Sequence, residues 1–407
     1  MDVESHACPE ACHSKTGTSF LKTCFHGFNA LSGIGILSIP YALSEGGWFS
    51  FTFIFIIGAL CCYTGILLKR CMDADPCIRT YQDIGGLAFG TKGRTIVVVL
   101  LFCELYLVAV EFLILEGDGL AKLFPTMSFR VGAHTFVANQ VFIVLSAFVL
   151  LPTVWLKNLK WLAYVSAGGV AASFIILAAV VWAATVDGVG FVHQKGKLFD
   201  LSGMPTAVSV YAFCYCGHSM FPTICSSMKD RTKFTKVLLA CFSLCAVNYA
   251  SMAAIGYLMF GSQVRSQVTL NLPLDKMSSK VAIYVTLINP LTKYALVVTP
   301  IALTMEESLL FCNQNITSFV ARTILVATTV LVALAFPFFG YLMALIGSLF
   351  SMALSVLLPC IFYLKICKGS RRSIYELMII TAVVLVGCFI AIIGTYSSLR
   401  KIIDHIQ

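Results

Sequence analysis

The sequence predicts an all-α polytopic membrane protein with eleven transmembrane helices, and three observations lead to this fold class. The 407-residue chain is 59% hydrophobic and only 12% charged, far from the balance of a soluble domain. Apolar runs long enough to cross a bilayer core of about 30 Å follow one another almost from end to end. These runs, such as 51–68, are continuous and do not alternate with polar residues, so they favour helices over a transmembrane β-barrel.

Charged and turn residues divide the apolar runs into eleven predicted spans. The ninth and tenth spans are separated only by the sequence FPFFG at 336–340. Outside the spans we expect a polar tail at 1–19, a loop at 186–203 and a terminus at 399–407. The predicted spans are 20–44, 47–70, 95–121, 136–152, 160–185, 204–227, 234–260, 281–308, 315–336, 340–364 and 374–398.

Basic residues indicate which side of the membrane each loop faces. With the N-terminus in the cytosol, seventeen lysines and arginines lie on the cytosolic side and nine on the opposite side. This excess predicts a cytosolic N-terminus and, after an odd number of spans, a lumenal or extracellular C-terminus. The net charge of +9 is spread over short loops with no continuous basic face. It therefore indicates topology and attraction to the lipid bilayer, and not a nucleic-acid partner.

The seventeen cysteines do not indicate a disulfide scaffold. Eleven fall within predicted spans, and the other six lie on segments predicted to face the cytosol, so no structural disulfide is expected. His6, Cys8, Cys12 and His13 crowd the N-terminal tail, but no second pair at ligand spacing accompanies them to complete a zinc site. We therefore expect no metal site.

Two of the predicted spans contain a glycine followed five residues later by a proline. In the first span, NALSGIGILSIPYAL at 29–43 contains Gly35 and Pro40. In the sixth, VYAFCYCGHSMFP at 210–222 contains Gly217 and Pro222. The sixth span comes five spans after the first, which is an odd number, so the two halves cross the membrane in opposite directions. This predicts an inverted repeat of 20–185 and 204–364, with helices 1 and 6 discontinuous and 374–398 as an extra helix.

A break in a membrane helix costs free energy, so we expect it to serve a function. Each unpaired backbone N–H or C=O in hydrocarbon costs several kcal/mol, so unwound backbone survives only beside protein or a polar cavity. Its free N–H groups attract a carboxylate and its free carbonyls attract an ammonium or a cation, and an amino acid carries both groups. The alternative is that the glycines serve helix packing and the prolines only bend the helix. Gly33 and Gly35 are two residues apart, whereas packing glycines favour four-residue spacing.

Ionisable residues within spans form a second set of candidates. Glu104 and Glu111 lie seven residues apart on one face of the third span, and Lys293 lies near the centre of the eighth. A charge at a helix centre costs roughly 2.5 to 3.5 kcal/mol, so these groups face a cavity, pair with each other or are neutral. In one interpretation the two glutamates carry protons and Lys293 places a charge beside the substrate. In the other, Glu111 and Lys293 form a structural ion pair and Glu104 reaches the cytosolic edge. His218 either titrates near neutral pH or fills the second break as a hydrogen-bond partner.

Four stretches of the sequence resemble the amino acid/auxin permease family. They are GIGILSIPYAL at 33–43, CELYLVAVEFLILEGDGL at 103–120, GYLMFGSQVRSQVTLNLP at 256–273 and NPLTKYALVVTPIA at 289–302. Members of this family share the LeuT-like fold of two inverted five-helix repeats, usually with an eleventh helix. The sequence is most similar to the plant vacuolar neutral amino acid transporter subgroup. This resemblance implies proton-coupled transport of neutral amino acids, with no cofactor besides the coupling proton, at the vacuolar membrane or, second, the plasma membrane.

The resemblance also implies where the substrate lies, namely between the first and sixth spans and closed over by the third and eighth. Residues 32–37 would hold the substrate carboxylate and 211–217 its amine and side chain. Some relatives use sodium, and here the Lys293 ammonium, with Thr292, would fill the role of that cation. The substrate-binding candidates are Asn29, Ser32, Gly33, Ile34, Gly35, Ile36, Tyr211, Phe213, Cys214, Cys216, Gly217 and His218, and the coupling candidates are Glu104, Glu111, Thr292 and Lys293.

Other classes of protein fit the sequence less well. The chain lacks the phosphate-binding motif GxxxxGKS or GxxxxGKT, so we expect that ATP does not drive transport directly. Repeated midplane breaks favour an occluded site over an open channel, and eleven spans do not suit a seven-helix receptor. A membrane enzyme would cluster His, Asp or Cys near one interface, which only the tail and DADP at 73–76 approach, so we expect no enzymatic activity. Transport of another zwitterion or an auxin-like carboxylate, sodium coupling, and symport or antiport all stay open, and a monomer is plausible.

Overall fold

The computed structural model describes residues 17–127, 129–131, 134–155, 168–191, 196–308, 314–367 and 373–406. Fourteen α-helices lie within these ranges. In chain order they are α1 (Phe20–Leu31), α2 (Ile39–Gly46), α3 (Phe51–Ala74), α4 (Tyr81–Leu123), α5 (Ala138–Trp155), α6 (Gly169–Thr185), α7 (Met204–Cys214), α8 (Phe221–Ser226), α9 (Phe234–Phe260), α10 (Met277–Ser308), α11 (Gln314–Ala335), α12 (Phe339–Ile346), α13 (Leu358–Ile366) and α14 (Ile374–Ile406).

Eight helical stretches of the described chain are long and apolar enough to cross a membrane. The molecule is therefore a multi-pass membrane protein. The predicted spans 20–44 and 204–227 are absent from this set because each contains two shorter α-helices. The predicted span 160–185 is described only from residue 168 onward, as α6. The long stretches are Trp48–Ala74, Tyr81–Leu123, Ala138–Trp155, Arg231–Gln263, Met277–Glu306, Ile316–Ala335, Phe339–Ile366 and Ile374–Ile406.

The all-α prediction needs a small correction in the loop between α4 and α5. Strands β1 (Phe129–Val131) and β2 (His134–Phe136) pair antiparallel there, with Phe129 opposite Phe136. The hydropathy pattern did not indicate these strands because each is only three residues long. They belong to the connection between α4 and α5 and leave the helical fold class unchanged.

The third predicted span begins earlier than its hydropathy suggests. α4 starts at Tyr81, well before the predicted span at 95–121, and non-helical backbone at Phe89 and Gly90 kinks the helix between its two parts. A capping box fixes this start: Thr80 Oγ1 accepts the Asp83 N–H at 3.3 Å, and Asp83 Oδ2 accepts the Thr80 N–H at 2.9 Å. Gly90 has a φ of 64°, a conformation that glycine adopts without strain.

The two interrupted spans pack against several other helices. α2 packs against α7 and α9, α4 packs against α10, and α6 packs against α10 and α9. α14 packs on its neighbours through small residues: a Cβ atom added at Gly394 would lie 2.7 Å from the Ser348 Cβ. The opposite face of α14 carries exposed apolar side chains such as Phe389, as expected of a lipid-facing surface.

The expectation of no structural disulfide is wrong at one position. Cys77, after α3, is disulfide-bonded. Other cysteines in the described ranges, such as Cys61 and Cys214, are free thiols. The sequence argument rested on the redox compartment of the loops, which does not predict which thiols a fold brings together.

Candidate functional site

The first interruption of a predicted span, here called the first break (residues 32–38), lies between α1 and α2. α1 ends at Leu31, residues Ile34–Leu37 form one 3-10 turn, and α2 begins at Ile39. Pro40 lies in the first turn of α2, where its missing N–H would have no acceptor within the helix. The first N–H groups of the 3-10 turn likewise have no acceptor within that turn.

Buried serines attach the first break to its neighbours on two sides. The Ser32 hydroxyl shares a hydrogen bond with the Ser173 hydroxyl on α6, and Ser173 Oγ is also 3.2 Å from the Gly169 carbonyl oxygen. The Ser38 hydroxyl donates to the Ser266 carbonyl at 2.5 Å. The first break is therefore a fixed structure and not a frayed helix end.

The second break (residues 215–217) lies between α7 and α8. α7 ends at Cys214, residues His218–Met220 form a 3-10 turn, and α8 begins at Phe221. Pro222 occupies the first turn of α8, as Pro40 does in α2. The two breaks thus have the same local plan: a helix end, non-helical residues, a 3-10 turn and a helix that starts with proline.

The His218 side chain fills the space beside the second break. It is fully buried, and its Nε2 is 2.9 Å from the Cys61 carbonyl oxygen and 3.0 Å from Thr64 Oγ1, both on α3. A carbonyl oxygen only accepts, so Nε2 carries the proton in this arrangement. These contacts favour the interpretation of His218 as a hydrogen-bond partner that joins the second break to α3.

The two breaks pack against each other through their glycines. A Cβ atom added at Gly35 would lie 2.6 Å from Cys214 Sγ and 3.3 Å from the Cys214 Cα. A Cβ atom added at Gly217 would lie 2.9 Å from Leu31 Cδ2. The glycine of each break therefore contacts the last residue of the helix that leads into the other break. At Gly33 no described atom lies within 4 Å of such a Cβ, so Gly33 borders open space.

A tyrosine that the sequence analysis did not single out joins the two breaks. Tyr249, on α9, is fully buried, and its hydroxyl is 2.8 Å from the Leu31 carbonyl oxygen and 3.1 Å from the Cys214 carbonyl oxygen. These two residues are the last residues of α1 and α7. In the sequence Tyr249 is one aromatic residue within an apolar helix, which is typical of a core position, and no motif distinguishes it.

A carboxyl group lies beside the second break. Glu104, on α4, is 5% exposed, and its Oε1 accepts hydrogen bonds from Cys216 Sγ at 3.1 Å and from Ser351 Oγ at 2.8 Å. Ser355 Oγ donates to Cys216 Sγ at 3.3 Å. Glu104 therefore joins the second break to the stretch between α12 and α13, and its contacts are with the second break, not with the cytosolic surface.

Glu111 lies seven residues further along α4 in a different environment. Both of its Oε atoms are buried and have no hydrogen-bond partner in the described part of the chain. Glu111 and Lys293, both described residues, therefore do not form the ion pair that was one of the two alternatives. A buried carboxyl without a partner is costly when ionised, which favours a group that exchanges a proton.

Asn29 and Lys293 meet at a glycine of α6, beside the first break. A Cβ atom added at Gly169 would lie 2.5 Å from Asn29 Oδ1 and 3.2 Å from Lys293 Nζ. Asn29 Oδ1 is buried and has no hydrogen-bond partner within the described ranges. The junction of α1, α6 and α10 therefore holds an ammonium group and an amide oxygen close together.

Two candidate residues do not reach the breaks with their polar groups. The Thr292 hydroxyl donates to the Asn289 carbonyl of its own helix at 2.9 Å. The Tyr211 hydroxyl is 3.3 Å from the Ser50 hydroxyl, which precedes α3.

No group of three or more His, Cys, Asp or Glu side chains that could hold a metal ion occurs in the described ranges. Other candidates lie along the breaks as buried or half-buried apolar side chains, namely Ile34, Ile36 and Phe213.

The arrangement of helices matches that of a solved structure. The crystal structure of MhsT in complex with L-phenylalanine covers 94% of this chain and 99% of its own chain, with a TM-score of 0.57 and 11% sequence identity. At this identity the likeness shows the fold alone. The molecule therefore has the LeuT-like fold, which is a fold of helical membrane proteins.

Sequence comparison defines the family. The family described as "Transmembrane amino acid transporter protein" matches residues 16–400. Amino acid transporter AVT1J of Arabidopsis thaliana is 50% identical over 387 residues, which are 95% of this chain and 92% of the relative. Amino acid transporter AVT1I of the same plant is 47% identical over 391 residues, 96% of each chain. The chain belongs to this family of transporters, which are not enzymes, and the resemblance carried by the four sequence stretches is confirmed.

Proposed function

We propose that this protein is a secondary active transporter that moves neutral amino acids across the vacuolar membrane by alternating access, coupled to protons. The observation that carries the proposal is the reciprocal packing of the two breaks, in which Gly35 contacts Cys214 and Gly217 contacts Leu31. The names of the Arabidopsis thaliana relatives, which are amino acid transporters, support the substrate class. The carboxyl groups on α4 support protons as the coupling ion.

The proposed architecture has eleven spans in a 5+5 inverted repeat with one extra helix. α1 and α2 together form the first span, α7 and α8 form the sixth, and α14 forms the eleventh. Residues 20–185 and 204–364 then make up the two repeats. The shared glycine–proline spacing of the two breaks and the excess of basic residues on the cytosolic loops support this arrangement, with the N-terminus in the cytosol and the C-terminus on the lumenal side.

The proposed substrate site lies between the two breaks. The unwound backbone of 32–37 binds the carboxylate of the amino acid, because free N–H groups attract a negative charge. Residues 211–217 bind its ammonium group and side chain. The open space beside Gly33 supports this position, since a bound molecule can approach the backbone there without displacing a side chain.

The proposed coupling groups are two carboxyls and one ammonium. Glu104 binds or releases a proton beside the second break, where it contacts Cys216. Glu111 carries a proton while buried without a hydrogen-bond partner. Lys293 supplies positive charge beside Asn29, the position at which a coupling cation would otherwise stabilise the first break.

Uptake into proteoliposomes tests the proposal. The purified protein is reconstituted, a pH gradient of each sign is imposed in the absence of sodium, and uptake of each radiolabelled amino acid is measured. We expect accumulation of neutral amino acids above the external concentration with one sign of gradient, and its collapse on addition of a protonophore. Passive equilibration that ignores the gradient would contradict coupling, and accumulation only with a sodium gradient would replace protons as the coupling ion.

A further inference from the structure

The Tyr249 hydroxyl lies between the ends of the two helices that lead into the breaks. It is within hydrogen-bond distance of the Leu31 carbonyl, at 2.8 Å, and of the Cys214 carbonyl, at 3.1 Å. Tyr249 itself has no exposed surface. The two carbonyls come from opposite halves of the chain, 183 positions apart in the numbering, so their meeting at one hydroxyl is a feature of the tertiary fold and not of a local turn.

Two helix C-termini that face the same point need a positive partner. Each carries roughly half a negative elementary charge, and in a low-dielectric interior two such ends repel each other. In membrane transporters with interrupted helices, carbonyls at half-helix ends bind Na⁺ or a proton. At the junction of α1 and α7 the partner is instead the hydrogen of a phenol, whose oxygen stands within reach of both carbonyls.

The packing of the ring fixes where this hydroxyl lies. The Tyr249 ring meets the Tyr215 ring edge to face, with centroids 5.3 Å apart and an interplanar angle of 70°. Tyr215 lies in the second break and stacks in turn on Phe242, with ring centroids 5.9 Å apart. Phe242 and Tyr249 are both on α9. An aromatic ring has few rotamers, so this packing holds the hydroxyl between the two carbonyls.

We propose that Tyr249 is a positioning residue whose hydroxyl takes the place of a monovalent cation between the ends of α1 and α7, so that the substrate site forms without a cation bound at that point. The proposal deepens the proposed function and rests on its substrate site between the two breaks. A phenol has one hydrogen for two carbonyls, so the Leu31 and Cys214 bonds compete for it. The Leu31 carbonyl also accepts the Gly33 N–H at 2.9 Å, which ties the hydroxyl to the break that borders the open space.

Tyr249→Phe tests the role of the hydroxyl while keeping the ring. Uptake is measured in proteoliposomes with L-alanine, or with whichever neutral amino acid the uptake screen ranks first, under a fixed pH gradient in choline chloride. We expect KM to rise at least about tenfold, which corresponds to about 1.4 kcal/mol of binding free energy. The matched control is Tyr257→Phe, on the same helix, which removes a buried hydroxyl that has no hydrogen-bond partner among the described residues. We expect its KM to equal that of the unchanged protein.

Tyr249→Ser tests the substitution for a cation directly. It removes the ring and takes the hydroxyl away from the two carbonyls, which opens space for an ion between them. We expect NaCl or KCl, compared with choline chloride at equal ionic strength, to lower KM in Tyr249→Ser and to leave the unchanged protein unaffected. A residue with only a packing role would not create such a dependence on the cation.

Several outcomes would overturn the proposal while leaving amino acid transport intact. They are an unchanged KM in Tyr249→Phe, no response of Tyr249→Ser to either salt, or a requirement of the unchanged protein for Na⁺ or K⁺. Failure of the unchanged protein to transport any amino acid would instead contradict the proposed function. Should Tyr249→Phe not fold, the salt response of Tyr249→Ser and of the unchanged protein decides the question.

Discussion

At the scale of single residues, side-chain size at the breaks controls how closely the two interrupted helices approach. Gly35 contacts the Cys214 backbone as well as its thiol, and backbone cannot move aside. The three atoms nearest to a Cβ at Gly217 all belong to the side chains of Leu31 and Phe221, which can rotate. Two glycines with the same spacing to a proline therefore differ in how strictly the fold needs them.

The glycines of the breaks supply the first prediction. Gly35→Leu and Gly217→Leu each abolish uptake, because a side chain there separates the breaks, while overpacking costs about 1–3 kcal/mol and leaves the protein folded. With alanine, Gly35→Ala loses more uptake than Gly217→Ala. Gly86→Ala on α4, where the nearest atom would be 3.9 Å from the new Cβ, is the control. Normal uptake by both leucine variants would show that the breaks are packing features.

A second prediction concerns the carboxyl group at the second break. Glu104→Gln keeps the side-chain shape and an oxygen that accepts from Ser351, but it cannot bind or release a proton at Oε. We expect accumulation driven by a pH gradient to fall at least about tenfold. Exchange of labelled for unlabelled amino acid across the same vesicles should persist. Accumulation equal to that of the unchanged protein would remove Glu104 from proton coupling.

The ammonium group beside the first break gives a third prediction. Lys293→Ala removes the positive charge next to Asn29 and Gly169. We therefore expect the dependence of uptake on pH to fall by a larger factor than the amount of protein in the membrane. Lys280→Ala, an exposed lysine on the same helix, should change neither quantity. If the dependence of uptake on pH were the same in Lys293→Ala as in the unchanged protein, Lys293 would have no part in coupling.

At the scale of helices and breaks, local chemistry was readable from the sequence and tertiary partners were not. Glycine and proline act on their own backbone, so their spacing led to the prediction that the spans 20–44 and 204–227 are interrupted. Tyr249, Ser173 and Ser351 were missed, because a single hydroxyl in an apolar helix shows nothing of what lies across from it. The extension of α4 to Tyr81 was missed because its first turns are too polar for a hydropathy window.

The end of α14 supplies a prediction about helix packing. Lys401 Nζ is 2.6 Å from Glu45 Oε2 at the end of α2 and 2.8 Å from Thr206 Oγ1 at the start of α7. The ion pair is partly exposed, so Lys401→Met should lower the free energy of unfolding by less than about 1 kcal/mol. Thermal unfolding in detergent measures this, with Arg400→Met as the control. A loss several times larger would show that α14 holds α2 and α7 in place.

At the scale of the whole molecule, the odd number of proposed spans puts the two chain ends on opposite sides of the membrane. The excess of lysine and arginine on one set of loops supports the proposed cytosolic N-terminus. The molecule has the LeuT-like fold, and the inverted repeat inferred from the paired breaks stays a prediction. The small hairpin of β1 and β2 was not predicted, since each strand is only three residues long, and the Cys77 disulfide was not predicted either.

Protease protection tests this orientation. In sealed vacuolar vesicles with the cytosolic face outward, added protease should remove an epitope tag at the N-terminus and leave one at the C-terminus intact. Detergent makes the C-terminal tag accessible and serves as the control. Loss of both tags in sealed vesicles would require an even number of spans and would contradict the 5+5 repeat with one extra helix.

The central claim is that the two breaks form one amino acid site, and a structure with bound substrate tests it most directly. Cryo-electron microscopy of the purified protein, with the neutral amino acid that the uptake screen ranks first, would locate the ligand. We predict density beside Gly33, with the carboxylate on the backbone of 32–37 and the ammonium group toward 211–217. Density at any other place, with the space beside Gly33 free, would contradict the account.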